Sequence, residues 1–216
     1  MTQRPGFAGR VEFSDAFRPG PKICHVLFDF DGTLSLIRQG WPDVMVPMFV
    51  EFLPQCEGES EEDLRCLAWD DIMRLNGKQT IYQMIQLAQR IRERGGTPRD
   101  PLWYKYEYLQ RLNEHIEERK DALRLGGTDP DSYLVFGARQ ALQLLTSKGL
   151  TLYLASGTDE EYVIQEAEML GIEKYFAGRI YGARDDYQNF SKKMVIDRIL
   201  SQTDVTGESL LAFGDG

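Results

Sequence analysis

The feature that most restricts the folds open to this chain is a short apolar run that stops abruptly at charge. Ile23-Cys24-His25-Val26-Leu27-Phe28 is nearly continuous in apolar character and is followed at once by Asp29-Phe30-Asp31-Gly32-Thr33. A run of that length without alternation fits a strand buried on both faces, the condition of a strand inside a parallel sheet. Such a strand needs neighbours on both sides and helices above and below it. Thr151-Leu152-Tyr153-Leu154-Ala155 reads as a second strand, Arg179-Ile180-Tyr181 as a short third and Leu210-Leu211-Ala212-Phe213 as a fourth. Helices are predicted between them: over 138–147, closed by Gly149; after the turn Ser156-Gly157-Thr158, with Asp159, Glu160 and Glu161 in the first turn; and over 191–200. Strands alternating with helices predict a doubly wound, mainly parallel α/β sheet.

The stretch from Trp41 to about Gly127 has a different texture and carries no strand signal. Pro42 suits the first turn of a helix running towards Leu53, and Pro47 is expected to end or kink its first stretch. Ser60-Glu61-Glu62-Asp63 resembles a capping box ahead of Leu64, Leu67, Ala68, Ile72 and Leu75 at helical spacing. Ile81, Met84, Ile85, Ala88 and Ile91 form a second stripe, closed by Gly95-Gly96. Asp100-Pro101 opens the longest helix, with Leu102, Tyr106, Leu109, Leu112 and Ile116 on its apolar face and Tyr104 and Tyr108 as surface or interdomain contacts. The expected organisation is an irregular leader over 1–21, an α/β core over 22–40 and 128–216, and an inserted helical unit over 41–127.

Composition narrows the function. The 216 residues carry a net charge of −9, which argues against a nucleic-acid or anionic-membrane footprint. With His25 and His115 as its histidines, the chain has no multi-histidine metal cage. Cys24, Cys56 and Cys66 lack C-x-x-C spacing and read as buried or half-buried free thiols of a reducing compartment. No stretch approaches the roughly 18 apolar residues of a membrane span, and Met1 to Gly20 lacks a signal-peptide run, so a cytoplasmic location is expected.

In open parallel sheets ligands bind at the carboxyl ends of the strands. There the sequence places Asp29 and Asp31 after the first strand, Ser156 after the second and Asp215 after the fourth, with Lys192 opening a helix at the same edge. A single Asp after a strand is commonly a turn or helix cap. Two carboxylates two residues apart, joined by a third, repel one another unless a cation or proton intervenes.

These residues carry a family resemblance. Asp29-Phe30-Asp31-Gly32-Thr33-Leu34 resembles the first motif of the haloacid dehalogenase (HAD) superfamily, D-x-D-G-T-L. Leu154-Ala155-Ser156-Gly157 is similar to the second, Lys192 ahead of Val195-Ile196 to the third and Gly214-Asp215-Gly216 to the fourth. The helical insertion resembles the cap of phosphoglycolate-phosphatase-like and β-phosphoglucomutase-like members. The resemblance implies a Rossmann-like core, with an acidic residue and a further C-terminal strand expected beyond Gly216. The chain departs from the pattern after the first motif, where Ser35-Leu36-Ile37-Arg38 stands in place of an apolar residue followed by Asp.

The resemblance implies a Mg²⁺-dependent phosphohydrolase acting on a small phosphorylated metabolite. Asp29 is then the nucleophile and Asp31 the general acid and base. Ser156, Gly157 and Lys192 hold the phosphate, and Asp29, the Asp31 carbonyl and Asp215 hold the metal. Charge supports the cation independently. With Asp29 and Asp215 ionised and a phosphate dianion bound, Lys192 alone leaves the site strongly negative. Lys78, in the polar break Asn76-Gly77-Lys78-Gln79, is a candidate for an anionic substrate tail, although an ordinary interhelical turn also explains that segment. Trp41, with Arg38 and Gln39, is a candidate lid residue. A phosphomutase shares the first motif. A receiver-type signalling module also gathers carboxylates, a hydroxyl and a lysine around Mg²⁺, but is compact and lacks a helical insertion.

Overall fold

The structure, a computed structural model, describes residues 23–189, 191–202 and 207–214. The leader expected over 1–21 and the candidate metal residue Asp215 lie outside the described residues. Four parallel strands form one sheet in the order β3-β2-β1-β4: β1 (His25–Phe28), β2 (Thr151–Asp159), β3 (Ile180–Ala183) and β4 (Leu210–Phe213). The apolar run after Pro21 is therefore a central strand. His25 to Phe28 pair with Thr151 to Leu154 on one side and with Leu210 to Phe213 on the other. Val26, Leu27 and Phe28 are buried, as a strand covered on both faces requires.

Between β1 and β2 stand α1 (Pro42–Phe52), α2 (Glu61–Arg74), α3 (Thr80–Glu93), α4 (Pro101–Arg124) and α5 (Ala138–Ser147). α6 (Glu160–Met169) links β2 to β3, and α7 (Lys192–Gln202) precedes β4. The described residues of α1 to α4 include no strand and form a helical cap, entered through the expected signals. Ser60 and Asp63 make a reciprocal capping box at α2, and the Asp100 carboxylate accepts from the Leu102 amide at α4.

Three local expectations are corrected. Pro47 neither ends α1 nor splits it: the helix is continuous, and Pro47 lies exposed on the same face as Asp43, where water can replace the lost amide bond. In α4 the buried stripe runs through Lys105, Leu109, Leu112, Ile116, Lys120 and Leu123, with Tyr104 and Tyr108 also buried, while Tyr106 is half exposed. Two lysines on the inward face hid the true phase of the stripe. The cysteines are free thiols, but Cys56 and Cys66 are exposed and only Cys24 is half-buried. The fourth strand has a buried β1 on one side, while its own Leu211 and Phe213 are exposed large apolar side chains. No helix among the described residues is long and apolar enough to cross a membrane.

The buried lysine at 105 explains how the cap sits on the sheet. Lys105, only 2% exposed, places Nζ 2.9 Å from Asp159 at the end of β2 and 3.0 Å from Asp185 after β3. The Tyr106 hydroxyl donates to Asp185 at 2.5 Å, and Gln79 donates to the Tyr187 carbonyl at 3.1 Å. Arg119, on α4, donates to the carbonyls of Ile37 and Gln39 at 2.7 Å each. The pair Asp185-Asp186, which reads in sequence as a solvated loop, thus contributes one carboxylate to a cap-to-core clasp. Two hydrogen bonds, from Tyr106 first and Lys105 second, hold the Asp185 carboxyl below its ordinary range.

Replacing Lys105 with Met should cost about 2 kcal/mol, because Asp159 loses its charged donor in a site closed from water. The melting temperature measured at pH 7 tests this. A carboxyl whose folded pKa is depressed stabilises the fold above its unfolded value, about 3.9, and the contribution disappears as pH falls through the lower folded value. The melting difference between the native chain and Asp185→Asn should therefore be constant from pH 7 to 5 and vanish in stronger acid.

Candidate active site

β1 delivers the first carboxylate. The ladder continues one residue past the strand, where the Asp29 amide donates to the Phe213 carbonyl at 2.9 Å. Phe28 stacks on Phe213 with ring centres 5.0 Å apart. The chain after β4 passes alongside, since a Cβ on Gly214 would lie 3.8 Å from that of Asp29. Beyond Asp29 the backbone folds into a tight loop in which the Phe30 carbonyl accepts from the amides of Thr33, Leu34 and Ser35. Gly32 has φ +75°, a conformation that D-x-D-G supplies with glycine at no steric cost. Phe30, fully buried, anchors the loop so that Asp29 and Asp31 point to the rim.

The two aspartates have different surroundings. Asp29 accepts from the Phe30 amide at 2.8 Å through Oδ1 and pairs through Oδ2 with Lys192, the first residue of α7. Burial raises its pKa, and Lys192 opposes that shift. Asp31 accepts two hydroxyl bonds at Oδ2, from Ser156 at 3.2 Å and Thr158 at 2.8 Å. Its Oδ1 is buried without a hydrogen bond among the described residues, 4.0 Å from Arg38 Nε.

β2 runs further than its apolar residues suggest, through Ser156-Gly157-Thr158 to Asp159, and its pairing with β3 shifts register between Ala155 and Asp159. The Ser156 hydroxyl accepts from the Thr158 amide at 3.0 Å, so the irregularity turns both hydroxyls towards Asp31. Gly157 serves a close approach: a Cβ there would lie 2.7 Å from the Lys78 carbonyl oxygen. The break between α2 and α3 is thereby pressed onto the core beside the site.

A cavity of about 330 Å³ lies between these groups and the cap, with Asp29, Asp31, Ser156, Gly157 and Lys192 on its core side. Lys78 and Trp41 line it from the cap side. Of the residues singled out in the sequence, only Asp215 lies outside the described residues. Lys193, next to Lys192, is instead exposed and pairs with Asp197 at 2.7 Å.

Sequence reasoning missed Thr158, Glu166 and Tyr108 here, and the partner of Arg38. Thr158 donates to Asp31 as Ser156 does, and a hydroxyl two residues along an extended strand was a readable signal. Arg38, named in sequence beside the candidate lid residue Trp41, is buried, and its Nε and Nη2 bond both oxygens of Glu166 on α6 at 2.8–3.1 Å. Burial alone would lower the Arg38 pKa, but the Glu166 and Asp31 carboxylates carry it above its ordinary value. Burial raises the Glu166 carboxyl, with Arg38 opposing. Tyr108, from α4, lines the same cavity, and burial holds its phenol well above the usual tyrosine range.

The arrangement can do phosphoryl chemistry. It offers a carboxylate fixed at a strand end, a second carboxyl two residues on with hydroxyl donors, and an ammonium and hydroxyl to meet anionic oxygens. Every candidate metal donor is an oxygen, which suits a hard cation such as Mg²⁺. No cluster of three acidic, histidine or cysteine side chains that could hold a metal occurs among the described residues.

Comparison with known proteins follows the same outline. Among solved structures of similar fold, a predicted phosphatase from Clostridium acetobutylicum is 18% identical with a TM-score of 0.57, over 90% of this chain and 77% of that one. A predicted phosphoglycolate phosphatase from Haemophilus somnus is 15% identical with a TM-score of 0.55, over 89% and 77%. A protein from Bacillus subtilis assigned as a HAD-hydrolase, solved with magnesium bound, is 15% identical with a TM-score of 0.55, over 91% and 81%. No curated protein matches the chain. Residues 23–216 match the family model for haloacid dehalogenase-like hydrolase. That span holds every motif from the carboxylate pair after β1 to Gly214-Asp215-Gly216, and the chain belongs to the haloacid dehalogenase-like hydrolase family.

Proposed function

We propose that this chain is a Mg²⁺-dependent phosphohydrolase that cleaves a phosphate monoester of a small metabolite through an aspartyl-phosphate at Asp29. The observation that carries the reading is the unequal treatment of two carboxylates on one loop. Asp29 is clamped by an amide and an ammonium, while Asp31 meets two hydroxyls and keeps one oxygen without a hydrogen bond among the described residues. The first is equipped as a nucleophile held in one direction, the second as a group that gives and takes a proton.

In this mechanism an Asp29 oxygen attacks phosphorus as the ester P–O bond breaks, and Asp31 gives its proton to the leaving alcohol. Asp31, now ionised, takes a proton from the water that attacks the aspartyl-phosphate, releasing phosphate and restoring Asp29. Lys192 and the Ser156 hydroxyl, with the backbone at Gly157, receive the phosphoryl oxygens and offset charge as it develops. The Asp29 carboxylate, the Asp31 carbonyl and Asp215 would hold Mg²⁺, which would supply further positive charge to offset a phosphate dianion beside these carboxylates. The cap, with proposed limits at 41–127, excludes water and presents Lys78 and Trp41 to the leaving group.

Four measurements test this. Asp29→Asn, which changes little volume, should lower Mg²⁺-dependent hydrolysis of p-nitrophenyl phosphate on the order of 10³-fold or more, with the melting temperature preserved. Chelation by EDTA should abolish turnover and added Mg²⁺ restore it; activity unaffected by chelation would remove the metal from the reading. Gly157→Ala should force the Lys78 segment away, lowering kcat/KM on metabolite phosphates on the order of tenfold and speeding amide exchange over 76–79. Product analysis with a sugar phosphate separates hydrolysis, which frees inorganic phosphate, from a mutase, which isomerises without release.

A further inference from the structure

The buried group beside Asp31 has no part in the chemistry above. Arg38 is 6% exposed and Glu166 1%, so their pairing is closed to bulk water, yet Arg38 also forms part of the cavity wall. Its Nε and Nη2 are committed to Glu166, and Nη1 makes no hydrogen bond among the described residues. Across the cavity Tyr108 is 4% exposed, and its hydroxyl likewise has none. Gln83, also buried at the wall, spends its amide nitrogen on the Ile72 carbonyl at 3.1 Å and keeps its oxygen as an acceptor. These three atoms face the cavity with hydrogen-bonding capacity to spare, which suits a polar occupant.

Position says which part of the occupant they meet. Asp31, in the mechanism above, touches the ester oxygen, and Arg38 Nε lies 4.0 Å from Asp31 Oδ1. A substituent on the carbon next to the phosphate-bearing carbon falls within reach of the guanidinium edge. Charge says what the substituent is. Arg38 already neutralises Glu166, so a substrate carboxylate would be a second negative group on one guanidinium in a site of low polarity. A hydroxyl brings no charge and can both accept from Arg38 and donate to Gln83. Burial keeps the Tyr108 phenol protonated, as a donor that is also uncharged.

We propose that Arg38 and Tyr108 form a specificity subsite for a neutral hydroxyl on the carbon adjacent to the phosphate ester, and that Glu166 makes this subsite reject a carboxylate. The substrate class is therefore the phosphate monoester of a polyol or sugar rather than of a short hydroxy acid. The proposal rests on the phosphohydrolase reading for its orientation. Trp41 on the same wall offers an apolar face to the carbon skeleton of such a ligand.

Three esters of matched size test it: glycerol 1-phosphate, propyl phosphate and 2-phosphoglycolate. With Mg²⁺ present, kcat/KM should favour glycerol 1-phosphate over each of the other two by about tenfold, the worth of one or two hydrogen bonds in a closed site. Tyr108→Phe should reduce the glycerol-to-propyl ratio at least threefold. Glu166→Gln keeps the shape and frees the Arg38 charge, so the phosphoglycolate-to-glycerol phosphate ratio should rise about tenfold, a gain that loss of structure does not produce. If Glu166→Gln fails to fold, Tyr108→Phe alone still decides. The same esters are titrated calorimetrically into Asp29→Asn, with and without Tyr108→Phe, where no turnover is needed. Hydrolysis of all three esters at equal rates, or ratios unmoved in the variants, overturns the subsite and leaves the phosphohydrolase standing. Binding that keeps the expected order in a protein that hydrolyses none of the esters supports the subsite and overturns the reaction. Neither hydrolysis nor ranked binding overturns both.

Discussion

Everything at the rim depends on one strand being enclosed. β1 is hydrogen-bonded on both sides and covered on both faces, so its last residue has almost no freedom, and Asp29 inherits that rigidity through its own amide bond to Phe213. A nucleophile, the role proposed for Asp29, has to be held to within a fraction of an ångström of its reacting geometry, and a central parallel strand is a stiff support for it. The fold therefore puts charge where its backbone is least mobile.

Holding several carboxylates in one place then becomes the main electrostatic cost, and the structure meets it with paired cations drawn from distant parts of the chain. Lys192 reaches Asp29 from the start of α7, Arg38 meets Glu166 on α6, and Lys105 enters from the cap between Asp159 and Asp185. In each pair at least one partner is largely withdrawn from water, where an unpaired charge would be far more costly than the pair itself. The third of these pairs differs in consequence. It ties the cap to the ends of β2 and β3, so the position of the cap is coupled to the same edge of the sheet that carries the candidate site.

The cap in turn shapes the cavity at two backbone approaches. Gly157 admits the Lys78 carbonyl at a distance no side chain would allow, and Arg119 grips the carbonyls of Ile37 and Gln39 just after the first motif. Between these contacts the walls come from both units, Arg38 and Asp31 from the core, Tyr108 and Gln83 from α4 and α3. The pocket is thus a property of the closed arrangement, and its polarity is set jointly.

By itself the amino-acid order determined the strands' identity, their alternation with helices, the helical insertion and the carboxylates Asp29 and Asp31, because these follow from local signals. Those signals are apolar runs of strand length, glycine and proline punctuation, a capping box and a motif whose members lie within six residues. Ser156 and Lys192 were legible for a related reason: one follows the apolar run of β2 and the other opens α7, both marked by local signals. Tertiary structure alone decided the inward phase of α4, the extension of β2 through Thr158, and the partnership of Arg38 with Glu166, separated by 128 positions. A lysine on a helix or an arginine after a loop reads as a surface residue unless its counter-charge is known. That counter-charge is brought up only when distant segments pack, since the energy of a buried ion pair depends on distance in space and on excluded water, neither of which is written in sequence separation.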